Sequence, residues 1–126
     1  MIIIAILVIA LAAALHVGIF LMESVGWTRP AVWKRFRVAN QEAAETTKPL
    51  AYNQGFYNLF LATGAIVGVI LFGFGMHDAG MALIVYTMAS MALAALVLVT
   101  TGKGYIGAAL IQGILPLAGL VLIFLA

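Results

Sequence analysis

Residues 50–74 read LAYNQGFYNLFLATGAIVGVILFGF. No residue in the stretch carries a charge, yet Asn53, Gln54, Tyr57 and Asn58 crowd its beginning. A helix needs about 20 mostly apolar residues to cross the hydrocarbon core of a bilayer. The stretch therefore predicts a transmembrane helix that begins with amides. Three more stretches have the same character, at about 2–25, 79–100 and 104–126. Backbone groups in lipid must be satisfied within their own segment, so these predict helices rather than isolated strands.

Composition points the same way. Of the 126 residues, 66% are hydrophobic and 8% are charged, with mean hydropathy +1.22. A soluble domain carries about 25% charged residues. A chain so poor in charge would precipitate in water, and no nucleic-acid partner is expected. Its length suits a single domain, residues 1–126. With no cysteine there is no disulfide, thiol catalysis or Cys-based metal site. No metal and no cofactor are expected.

The first apolar run resembles a signal peptide only in part. LAAALH (11–16) offers small residues, but no Lys or Arg precedes the run, and it continues through VGIFLM (17–22). A cleavable apolar region spans about 7–15 residues, so the run reads as a retained transmembrane helix. The turns GFGMHDAG (73–80) and TTGKG (100–104) are short. Short connections make sequential helices antiparallel neighbours. Gly75 and Gly80 read as breakers in the first turn. TTGKG lacks the upstream glycine and the following Ser/Thr of a phosphate loop.

Residues 27–49, WTRPAVWKRFRVANQEAAETTKP, form the one long polar connection. Thr28 and Pro30 look like a helix start. Trp33 and Phe36 among Lys34, Arg35 and Arg37 suggest an interfacial amphipathic helix with aromatic anchors. Asn40 and Glu42 resemble a second helix N-terminus, from which a helix could run on into the span, with Pro49 either kinking it or restarting it. All six Lys and Arg (Arg29, Lys34, Arg35, Arg37, Lys48 and Lys103) fall in the first and third connections. The positive-inside rule then places these connections in the cytoplasm and both termini outside, in a multi-pass inner-membrane protein. The basic segment 29–37 should also attract anionic lipid headgroups.

Polar groups recur at similar depths. At about 1.5 Å per residue, His16, Asn58 and Gln112 lie roughly 12 Å in from the cytoplasmic ends of their helices. A shallower layer holds Glu23, Trp27, Asn53, Gln54 and Tyr105, and Ser90 sits somewhat deeper than His16. His16 and Glu23, seven apart, share a helix face, as do Gln54 and Asn58, four apart. Ionisable groups in a span are costly, and their default reading is functional, so His16 and Glu23 are the catalytic candidates. Amides and hydroxyls in membrane helices often only bond helix to helix. His77–Asp78 reads as a solvated turn. Gly64 and Gly68 make a small-xxx-small pattern for close packing, and Gly107 and Gly113 suit tight packing too. Pro116 should kink its helix and free a carbonyl near Gln112.

Three patches, taken in order, carry a resemblance: His16-x6-Glu23-x3-Trp27-x2-Pro30, NQGFYNLFLA (53–62) and QGILP (112–116). Together they resemble an uncharacterised family of small bacterial integral membrane proteins, domain of unknown function 1304. The resemblance spans nearly the whole chain and implies a four-helix membrane protein with no established activity. Some members carry an epimerase label, but the chain has no nucleotide fingerprint. Members often have an acidic residue just before the histidine, where this chain has Leu15.

The expected architecture is therefore all-α: four antiparallel transmembrane helices, with a cytoplasmic interfacial segment between the first and second. The leading function is binding of a small or amphipathic ligand in a polar inner-leaflet pocket open to the cytoplasm. His16, Glu23, Trp27, Asn53, Gln54, Tyr57, Asn58 and Gln112 would line it. One alternative is an intramembrane enzyme, such as an isomerase acting on a lipophilic substrate, with His16 as acid or base and Glu23 tuning it. Another is a structural or accessory protein. A homo-oligomer stays open, because transport by a single copy without internal repeats is disfavoured.

Overall fold

The structure, a computed structural model, describes all 126 residues and is entirely helical, without strands. Helix α1 spans Ile2–Phe20. It widens into one π-helical turn, Leu21–Val25, which Gly26 closes by donating its N–H to the Leu21 carbonyl at 2.9 Å. Helix α2, Pro30–Trp33, is one turn long. Helix α3 runs for 33 residues, Gln41–Gly73. Helix α4 spans His77–Thr100, and after a 3₁₀ turn at Lys103–Tyr105, α5 spans Ile106–Phe124. Four helices, Ile2–Val25, Gln41–Gly73, His77–Thr100 and Lys103–Phe124, are long and apolar enough to cross a membrane.

Local chemistry explains the ends. Asn40 caps α3, its side-chain oxygen accepting the Ala43 N–H at 2.8 Å, and Glu42 lies in the first turn where a negative charge suits the helix dipole. The helix continues through Pro49. Proline removes the N–H that would meet the Glu45 carbonyl, but Glu45 lies on an exposed turn, where solvent can supply the missing donor. Helix α5 likewise runs through Pro116.

The chain packs as two compact units, residues 1–15 with 61–126, and residues 16–60. The core of the first unit mixes alanines with a few larger side chains: Ala5, Ile9, Ala12, Ala62, Ala65, Ile84, Met88 and Met91 are buried. Glycines bring its helices together. A Cβ on Gly68 would stand 2.9 Å from Ile84 Cγ1, and one on Gly64 would stand 2.7 Å from Thr87 Cγ2, so the small-xxx-small face of α3 seats α4. A Cβ on Gly119 would crowd Ile9 of α1 at 3.1 Å and lie 3.5 Å from Met88 of α4. Two glycines depart from their sequence reading. Gly80 is no breaker: it is buried inside α4, and a Cβ there would lie 2.5 Å from the Phe72 backbone nitrogen. Gly75, at φ +85°, makes the turn alone. Gly107, read as a packing residue, faces open space. Outward, the unit presents Ile3, Leu7, Leu11, Leu93, Leu96 and Val97, all exposed.

The two glycine environments predict opposite responses. Gly80→Leu forces a side chain into the α3 backbone and should destabilise the fold by about 1–3 kcal/mol. Gly107→Ala should be neutral or slightly stabilising, since alanine is the better helix former. Thermal unfolding of the two variants in detergent checks both, and equal midpoints would contradict this packing.

Candidate functional site

The unit of residues 16–60 contains most of the polar candidates. Its connection is clasped onto the first turns of α3 by indole and amide groups. The Trp27 indole N–H donates to the Ala44 carbonyl at 3.0 Å and to Thr47 Oγ1 at 3.2 Å. Its ring packs against Phe36 with centroids 5.1 Å apart. The Trp33 indole donates to Gln41 Oε1 at 2.9 Å, and the Gln41 amide donates to the Thr28 carbonyl at 2.8 Å. Both indoles are nearly buried.

An extended amphipathic interfacial helix does not form here. After α2 the chain closes in a Schellman arrangement, with Val38 N–H on the Trp33 carbonyl and Arg37 N–H on the Lys34 carbonyl. Arg37 takes the left-handed conformation, φ 59°, that glycine usually fills. Trp33, expected as an outward anchor, turns in to bond Gln41, with the Lys34 ammonium 5.6 Å from its ring centre. Arg29, Lys34, Arg35, Arg37 and Lys48 are left exposed.

Beyond the clasp, the π-helical turn meets α3 at Gly55. A Cβ on Gly55 would collide with Ser24 Oγ and lie 3.0 Å from the Ser24 backbone nitrogen and 3.1 Å from Glu23 Cβ. Glycine is thus required by space. Ser24 Oγ then donates to the Tyr52 carbonyl at 2.7 Å. Glu23, 9% exposed, accepts the Asn58 amide at Oε2, 2.9 Å away. The same amide also reaches the Gln54 carbonyl one turn back at 3.2 Å. Phe20, Phe56 and Tyr52 form a ring cluster beside this contact.

A shallow, open cleft of about 320 Å³ lies along this seam, lined by Glu23, Trp27, Thr47, Leu50, Ala51 and Gln54. Glu23, Trp27 and Gln54 are therefore brought together, and Asn58 joins them through Glu23. His16 is fully buried on α1. Asn53 and Tyr57 are exposed on α3, and Gln112 is half-buried on α5, in the other unit. Depth counting separated Asn58 from Glu23, but their side chains meet. Side chains on a helix lean toward its N-terminus, which brings the Asn58 amide back toward Gln54 and Glu23. The π turn also breaks the alignment that seven-residue spacing gives His16 and Glu23 in a regular α-helix. Ser90 bonds the Tyr86 carbonyl of its own helix at 2.8 Å. His77 begins α4, exposed, with its ring edge-on to Phe72.

Thr47, Leu50, Ala51 and Ser24 were not singled out from the sequence. A signal existed for the first three: positions 47, 51, 54 and 58 repeat at four, three and four, one stripe of a helix, and position 50, three after 47 and four before 54, lies on the same face. The stripe crosses Pro49, where a helix start was one sequence reading.

Breaking the Glu23–Asn58 contact should be measurable in a double-mutant cycle of Glu23→Leu and Asn58→Leu, each of which removes one partner of the bond. Interhelical hydrogen bonds in membrane proteins couple by about 0.6 kcal/mol on average and up to about 1.7. A coupling in that range on unfolding in detergent is expected; purely additive effects would show that the bond contributes nothing to stability.

A model of the family described as "Protein of unknown function (DUF1304)" matches residues 10–124. No curated protein and no solved structure matches the chain.

Proposed function

The chain belongs to the DUF1304 family, whose description assigns no activity, so we propose a function from its own side chains: a multi-pass inner-membrane protein that binds a small or amphipathic ligand at the cleft along the π turn and α3. The observation that carries this reading is the placement of Glu23. It is the one acidic side chain buried in the chain, it sits in a π turn, and it lines an open cleft. Burying a carboxylate costs several kcal/mol unless hydrogen bonds or a counter-charge answer it. Single π turns recur at functional sites for a related reason: the widened backbone re-aims side chains. Leu50, Ala51 and the Trp27 ring give the cleft an apolar wall beside Gln54 and Glu23, the mixture that ligand sites use.

The membrane reading rests on the four long apolar helices and their exposed Leu, Ile and Val side chains. Antiparallel spans with both termini outside would put the five cations of residues 29–48 and Lys103 on the cytoplasmic side. The cleft would then open near the inner leaflet, and the cations would meet anionic headgroups. Single cysteines introduced into this cysteine-free chain test the arrangement. Lys34→Cys and Lys103→Cys should resist an impermeant thiol reagent in intact cells, while Asp78→Cys should react. Labelling of either lysine position from outside would reverse the topology.

A second reading has its own support. The Glu23–Asn58 bond, the Ser24–Tyr52 bond and the Gly55 seat all join one segment to another, as in a purely structural protein. Leu50→Trp separates the two, because Leu50 lines the cleft, is exposed and makes none of those bonds. Under the binding reading, native mass spectra of the purified protein show a retained small molecule that Leu50→Trp loses at unchanged thermal midpoint. A spectrum without any adduct, or an adduct indifferent to Leu50→Trp, would favour the structural reading.

A further inference from the structure

We propose that the cleft selects a protonated primary amine carried on an apolar chain. This deepens the binding reading above and rests on it. The lining residues supply acceptors and no cation. Glu23 offers a carboxylate, of which Oε2 already takes the Asn58 amide. An ionised carboxylate has about four lone-pair sites, so one amide leaves capacity for further donors. The Gln54 side-chain oxygen is a second acceptor, on an exposed and adaptable amide. The Trp27 indole N–H is already committed to Ala44 and Thr47, so what Trp27 offers a ligand is its ring, whose face attracts a cation. Thr47 donates its hydroxyl proton to the Ala43 carbonyl at 2.8 Å and accepts the Trp27 indole N–H, so it offers an anion no free donor.

The opposite charge class fits poorly. Arg29, Lys34, Arg35, Arg37 and Lys48 are all exposed, and none is among the residues that line the cleft. A carboxylate or phosphate inside would face Glu23 with no cation to answer it. A neutral alcohol could donate one hydrogen bond, whereas a primary ammonium donates three and neutralises Glu23 as well. A quaternary ammonium keeps the charge but has no donor for Glu23 or Gln54. Leu50 and Ala51 would take the first methylenes of the chain. The same ammonium could come from a lipid headgroup or from a single-chain amine.

The test uses the full chain with Trp33→Phe, which leaves Trp27 as the sole tryptophan. The protein is held in phosphatidylcholine nanodiscs and titrated with dodecylamine, dodecanol, dodecanoate and dodecyltrimethylammonium, following Trp27 emission. Dodecylamine should saturate the change at a concentration at least about tenfold below each of the others, and Glu23→Gln should erase that preference. Replacing part of the phosphatidylcholine with phosphatidylethanolamine identifies the source. If the change appears without added amine, the lipid headgroup supplies the ammonium; if it does not, a single-chain amine does. Equal response to dodecanol or dodecanoate overturns the amine assignment while leaving a binding cleft. Equal response to the quaternary analogue overturns the hydrogen-bonding role of Glu23 and Gln54. No saturable response to any probe overturns the binding reading itself. If Glu23→Gln unfolds, Gln54→Leu replaces it and should narrow the preference for dodecylamine over dodecyltrimethylammonium.

Discussion

Everything distinctive about residues 16–60 depends on the close approach of the π turn to α3 at Gly55. With a Cβ there, Ser24 could not sit where it does. Without that approach Glu23 would lose the Asn58 amide and Ser24 would lose the Tyr52 carbonyl. The order of causes runs from backbone to chemistry. Glycine permits the contact, the π turn re-aims the segment, and only then does a carboxylate stay buried with a partner. The aromatic clasp of Trp27 and Trp33 holds the intervening chain against α3, and Trp27 also lines the cleft.

Residues 1–15 with 61–126 solve a different problem with similar means. Alanine, glycine and methionine, with Ile9, Ile84 and Ile123, fill their interior, while the long leucines stay out of the core. In water such a distribution would be perverse, because large apolar side chains contribute most when buried. In lipid there is little hydrophobic gain between helices, and close van der Waals contact decides which faces meet. Small residues inside and leucines outside are the pattern that a lipid surround would favour. Thr87 and Ser90 satisfy their hydroxyls on carbonyls of their own helix.

The helices were legible in the sequence because their signal is bulk composition: four long apolar runs with every Lys and Arg confined to the connections. The expected boundaries at 2–25 and 79–100 lie close to Ile2–Val25 and His77–Thr100. The helix N-terminus at Asn40 was legible as well, since it follows from local chemistry; at Pro49 the sequence left a kink or a restart open, and α3 runs through it. The π turn was not legible. Leu21–Val25 has no composition that separates it from an α-helical end, and its widened bond depends on α3 packing beside it. Gly80 misled because a glycine near a turn looks like a breaker. Whether it breaks a helix or admits a neighbouring backbone is decided by tertiary contact.

The amides at the start of α3 divide by face rather than by depth. Asn58 bonds Glu23 inside the fold, Gln54 lines the cleft, and Asn53 points away from both into the surroundings. One helix turn thus carries an amide that fixes a carboxylate and another that can adapt to a ligand. A carboxylate fixed by Asn58 has a defined direction, and its uncommitted acceptor sites can serve recognition without first paying to be ordered. A packing bond and a binding site are therefore compatible uses of the same residue. Asn58 is best understood as a positioning residue for Glu23, whereas Gln54 would meet a ligand itself.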